Sequence, residues 1–162
     1  MTTNSSFTNT RLRLLRSEVL LAITTAIGFL HHVDHVLRVD HSGWPFISEI
    51  TPFTFSLLVY PLLLSIYLAR SYPWYRVGAT AFAYISIQLA HIFIETPADQ
   101  YHTWAHGFSN AANSPGKHNL LGVASPAIGV YAVVLSLLLS VALILTMIGF
   151  IRDAQLARKQ KA

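Results

Sequence analysis

EVLLAITTAIGFLHHVDHVLRV, residues 18–39, opens on a twelve-residue apolar stretch, Val19–Leu30, and closes on three histidines, an aspartate and an arginine. As a helix, this stretch is long enough to cross the roughly 30 Å hydrocarbon core of a bilayer. His31 would then sit about 18 Å along the axis from Val19, inside the outer half of the hydrocarbon. Ionisable side chains at that depth are costly, so they turn inward and pair.

Composition points the same way. The chain is 53% hydrophobic and only 11% charged, whereas soluble domains carry roughly 25% charged residues. The 162 residues suit one helical domain spanning the whole chain. The net charge of +4 comes from basic residues that flank apolar runs. They form no basic aromatic surface, so they read as membrane anchors and not as a nucleic-acid interface. With no cysteine in the chain, disulfides, thiolate ligands and thiol redox chemistry are excluded.

The expected fold is an all-α integral membrane protein: a four-transmembrane-helix bundle with a short interfacial helix in its outer loop. The spans fall at residues 18–39, 52–70, 77–95 and 127–150. Thr51-Pro52 is a helix-entry signal, and Pro61 is expected to kink the second span. Leu120–Ile151 is too long for one span, so Gly122, Ser125 and Pro126 should break off its first part. The polar start, MTTNSSFTNT, is expected to fray.

Arg11, Arg13 and Arg16 precede the first span, Arg70 and Arg76 bracket the second loop, and Arg152, Arg158, Lys159 and Lys161 follow the last span. Only Arg38 and Lys117 fall on the other side. The positive-inside rule therefore makes both termini cytoplasmic, in a plasma or inner membrane. All eight histidines then lie on the extracytoplasmic side. Residues 11–30 also have the basic start and apolar stretch of a secretory signal peptide, but no A-x-A site follows.

At about 100° per residue, His31 and His35 are about 40° apart on the helix, and His32 completes an arc of about 100°. Two histidines one turn apart can share a metal ion. In the third span Tyr84, Gln88, His91 and Glu95 form one polar stripe, whose His91–Glu95 end reaches the level of the first-span histidines. His102 and His106 are again one turn apart in the outer loop. The expected metal ligands are thus His31, His32, His35, His91, His102 and His106. Asp34 and Glu95 are the candidate catalytic carboxylates, and Asp34 is also a candidate to orient a ligand imidazole. Trp44 and Trp104 suit the headgroup level. Asp40 and His41 could fold back towards the site, and His118 lies in a turn composition. The plainer reading of each histidine is a hydrogen bond between helices.

Imidazole and carboxylate donors favour zinc or iron, one or two ions, over copper(I). HHxxH at His31–His35 and HxxxH at His102–His106 resemble, as short motifs, the histidine boxes of membrane di-iron desaturases and hydroxylases. Those boxes face the cytoplasm and differ in order and spacing. Intramembrane zinc hydrolases of the ceramidase type are a second comparison and have more spans. The donor set and its membrane position make the leading expectation a small membrane metalloprotein with its site at the extracytoplasmic end, an enzyme that oxidises or hydrolyses a lipid, quinone or other apolar substrate. The alternatives are a haem-binding electron carrier, with a first-span histidine and His91 as axial ligands, and a non-catalytic scaffold or assembly subunit. The bilayer is the expected partner, nucleic acid is not, and a homo-oligomer is compatible with the sequence.

Overall fold

The computed structural model describes residues 4–38, 52–112 and 114–160, with side chains from Arg16 in the first segment and Phe55 in the second. Asp40, His41 and Trp44 lie outside the described residues. The described chain is all helical apart from its connections. Five α-helices follow in order: α1 (Asn4–Arg38), α2 (Val59–Leu68), α3 (Pro73–Phe93), α4 (Pro97–His106) and α5 (Pro126–Lys159). A 3-10 segment, Pro52–Leu58, leads into α2. Arg16–Arg38 of α1 and all of α5 are long and apolar enough to cross a membrane, and α3 with α4 is a third candidate if the bent pair counts as one span.

The helix limits follow local chemistry. α1 already begins at Asn4, within the segment expected to fray. α3 starts at Pro73 and not Val77, because proline at the first helical position gives up an N–H that would have no partner there. Pro61, the expected kink position, lies in the first turn of α2, just after the change from 3-10 to α geometry. α5 starts where the sequence breaks: Ser125 caps Ile128 N–H and Pro126 is the first helical residue. It also runs past residue 150, to Lys159.

α5 is the central helix, against which α1, α3 and α4 all pack. α1 and α3 run parallel to each other and antiparallel to α5. The register is marked by Thr24 bonded to Thr146 (2.8 Å) and Gln88 donating to Ser140 (2.7 Å). At one end Leu21, Leu63, Ile66, Ala79 and Phe150 form the apolar core. Arg76 is buried there: it donates to Glu18 at 2.7 Å and lies 4.0 Å over the Phe150 ring. The cation follows the loop it was expected to bracket, and a carboxylate and a ring face offset its burial.

α4 turns 59° away from α3. Pro97 disfavours helical geometry in the residue before it, and Thr96 and Asp99 form a reciprocal capping box at the new start. The short helix expected in the outer loop is present, and one face of it is buried: Gln100, Thr103, Trp104 and Ala105. It meets α5 at Gly129, where a Cβ would lie 2.9 Å from Tyr101 O. Gly107, at φ 86°, ends α4. The following loop is tied back by Leu120 N–H to Leu37 O (2.8 Å) and Ser125 N–H to Trp104 O (2.6 Å).

Candidate metal centre

Three imidazoles meet where α1, α3 and α5 pack at the end opposite Arg76. His31 and His35 come one turn apart from α1, and His91 comes from the last turn of α3. The Nε2 atom of His31 is 3.1 Å from that of His35 and 3.2 Å from that of His91. His31 and His35 are buried, His91 half-buried, and the ligand atoms of the three lie within 4.8 Å of one another. Among the described residues this is the one group of His, Cys, Asp or Glu side chains close enough to hold a metal ion. Each Nε2 carries one lone pair when its ring is protonated at Nδ1. With all three rings in that tautomer, the three lone pairs would face one another and could hold a metal ion between them.

The opposite nitrogen of each ring has its own partner. His31 Nδ1 is 3.4 Å from Ser136 Oγ, His91 Nδ1 is 3.1 Å from the Gln100 amide, and His35 Nδ1 is 3.3 Å from Glu95 Oε2. Ser136 Oγ also donates to Gln100 Oε1 at 2.7 Å, so the partners of two histidines are joined. In this arrangement Gln100 turns its nitrogen towards His91; with the amide reversed, its oxygen accepts from Nδ1–H and frees the His91 Nε2 lone pair. His35 has the same choice. Its Nδ1 accepts from Arg38 Nη2 (2.9 Å) in one tautomer and donates to Glu95 in the other.

Arg38 ties the acids to the trio. It is 0% exposed, and its Nη2 is 2.9 Å from Glu95 Oε2 and 3.4 Å from Asp34 Oδ2. Asp34 Oδ1 accepts from Trp104 Nε1–H at 2.8 Å, and Trp104 is buried at 2% exposure. Among the described residues the acid beside a histidine of the trio is therefore Glu95, while Asp34 serves Arg38 and Trp104. Glu95 Oε1 is buried without a hydrogen-bond partner.

The other expected ligands stand apart. His32 packs edge-on to Tyr60, with centroids 5.6 Å apart, and its buried Nε2 has no hydrogen-bond partner. His102 and His106 stack on each other at 4.5 Å on the outward side of α4. His118 is exposed in the loop opposite Phe108. Asp99 caps α4. Sequence reasoning missed Gln100 and Ser136 as histidine partners.

A cavity of about 390 Å³ opens beside the trio between α2 and α3. His31, His35, His91 and Glu95 form part of its lining; most of the remainder is aliphatic or aromatic. Comparison with known protein families, curated proteins and solved structures finds no match to this chain.

Proposed function

We propose that this chain is a four-span membrane metalloprotein in which His31, His35 and His91 bind one zinc ion, and that it hydrolyses an ester or amide of an apolar molecule. The carrying observation is the double ordering of the trio: three Nε2 atoms converge while every Nδ1 has a separate partner. Metal-ligating histidines are held this way, their far nitrogen fixed by a carboxylate, carbonyl or similar group. The nitrogen separations of 3.1 and 3.2 Å also suit a tetrahedral zinc, whose 2.0–2.1 Å bonds put ligand nitrogens about 3.3 Å apart.

Charge supports a cation. With both carboxylates ionised, Asp34 and Glu95 around the single Arg38 would leave one excess negative charge in a buried cluster. Uncompensated buried charge is expensive, and a divalent ion on His35 would offset it through the imidazole that touches Glu95. Three histidines with a free fourth position are the donor set of catalytic zinc, which supplies Lewis-acid activation of water and of a substrate carbonyl. Glu95 is one of the cavity's lining residues and is the carboxylate we assign as proton acceptor, with its Oε2 held by Arg38. Oxygenase iron sites use two histidines and a carboxylate; here that would require Glu95 to leave Arg38. Haem fits less well, because axial nitrogens lie on opposite faces of a macrocycle, and no such slot separates His31 from His91.

Membrane insertion is part of this reading. Ile23, Phe82, Ile85, Phe93, Leu138 and Val141 all project outward, an apolar surface that lipid accommodates and water does not. The 3-10 segment and α2 together reach about 29 Å, and α3 alone about 32 Å, enough for the second and third spans. Tyr72, Trp74 and Tyr75 stand exposed at the Arg70 end, as an interfacial aromatic belt would. Both termini are assigned to the cytoplasm by the basic residues.

The test is elemental analysis and absorption spectroscopy of the chain purified in lipid nanodiscs with zinc supplied. We expect one zinc per chain and no Soret band, with zinc lost in His35→Ala and His91→Ala at unchanged helix content. A metal-free wild type, or zinc retained in both variants, overturns the assignment.

A further inference from the structure

The cavity beside the trio is polar at one end only. Around its histidine end stand His32, Tyr60 and Ser56; about 12 Å from His32 along α1, at Thr24, its walls are Leu63, Ala83 and Leu143. Thr24 already bonds Thr146, so its hydroxyl adds little polarity at that end. Among the described residues the wall is open on one side. The second half of α2 closes onto the core through Leu63 and Ile66, whereas the rim near the 3-10 segment carries Phe55 and Leu58, each 63% exposed, and α3 adds Phe82 at 65%. An opening rimmed by such side chains would be costly in water and unremarkable in hydrocarbon.

From these observations we infer that the cavity is the tail pocket of a single-chain lipid amphiphile. The amphiphile enters sideways from the bilayer between the 3-10 segment and α3, its polar group at His31, His35 and His91 and its hydrocarbon tail towards Leu63, Ala83 and Leu143. The inference rests on the metal-site reading for the polar end only; the tail end stands on the cavity itself. A volume of about 390 Å³ lies low in the 300–1,000 Å³ range of ligand pockets, which suits one chain better than two. Few polar groups gathered at one end of an apolar pocket fix orientation, as such sites generally do.

The probe is a long-chain fatty acid with a photoactivatable diazirine in mid-chain, added to the protein in phosphatidylcholine nanodiscs. Labelled residues are mapped by mass spectrometry, and zinc content is measured on the same samples. We expect labels on Leu63, Ala83, Leu139 or Leu143, strongly reduced by Ser86→Trp. Ser86 lines the cavity from an exposed position on α3, so this variant narrows the opening without filling the core. Ala83→Phe, which fills the inner end, should also reduce labelling while zinc content stays at the wild-type level. Labels confined to outward residues such as Leu138 and Val141, or undiminished in Ser86→Trp, overturn the tail pocket whatever the zinc content. Cavity labelling in protein that binds no zinc would keep the pocket and remove the metal reading instead.

Discussion

At the residue scale, the trio depends on partners that supply no ligand. Replacing Gln100 by Met keeps the volume but removes the group at His91 Nδ1. Zinc affinity should fall roughly 10–100-fold, the usual cost of losing a group that orients a ligand, read by competition with a chromophoric chelator. Glu95→Gln should cost a similar factor through His35. Asp34→Asn should cost less than either, because its contacts run to Arg38 and Trp104 and an amide oxygen can still accept from the indole; a larger loss for Asp34→Asn than for Glu95→Gln would reverse the roles given to the two acids. The trio was legible in sequence because helical spacing puts His31 and His35 on one face and chain length puts His91 at their level. Gln100 and Ser136 were not, since they reach the histidines only after α4 has bent and α5 has docked. His32 shared the arc but stands at its edge, against Tyr60. His102 and His106 do share a face, but the side of α4 that buries Gln100 and Trp104, one turn apart, is the opposite one, and that choice belongs to packing.

At the element scale, α5 is held by small polar contacts as much as by apolar ones. Thr24 and Thr146 bond each other in the interior, so either changed to Val leaves a buried hydroxyl alone. The coupling between the two positions in a double-mutant cycle should be about 0.6 kcal/mol, typical of hydrogen bonds between membrane helices, and the double variant should regain part of the loss. Gly129→Ala pushes a methyl group against Tyr101 O, which belongs to backbone and cannot swing aside. About 1–3 kcal/mol should be lost, seen as a lower unfolding temperature together with weaker zinc binding, because Gln100 rides on the same helix. An unchanged temperature would mean that α4 and α5 separate without cost. The breaks that define these elements were readable where one residue dictates them, as at Ser125-Pro126. The Glu18 partner of Arg76 was not readable, because the two come from helices distant in sequence and meet only when those helices pack.

At the scale of the whole molecule, two ends differ in character. One gathers Glu18, Arg70 and Arg76; the other gathers the histidines, Arg38 and the tied-back loop. The proposed topology puts the first in the cytoplasm and the second outside. The absence of native cysteine makes this directly measurable: Asn110→Cys, exposed in the loop, should react with an impermeant thiol reagent in intact cells, and Ser71→Cys should not. The opposite pattern would invert the molecule and its metal centre with it. The central position of α5 also governs timing. α1 and α3 leave the ribosome first with all three imidazoles, yet Ser136 and the surface on which α4 rests arrive with the last helix. A nascent chain stopped before Pro126 would carry every ligand and lack the frame that aims them. Zinc acquisition should therefore mark completed synthesis, with truncated chains left in the metal-free pool.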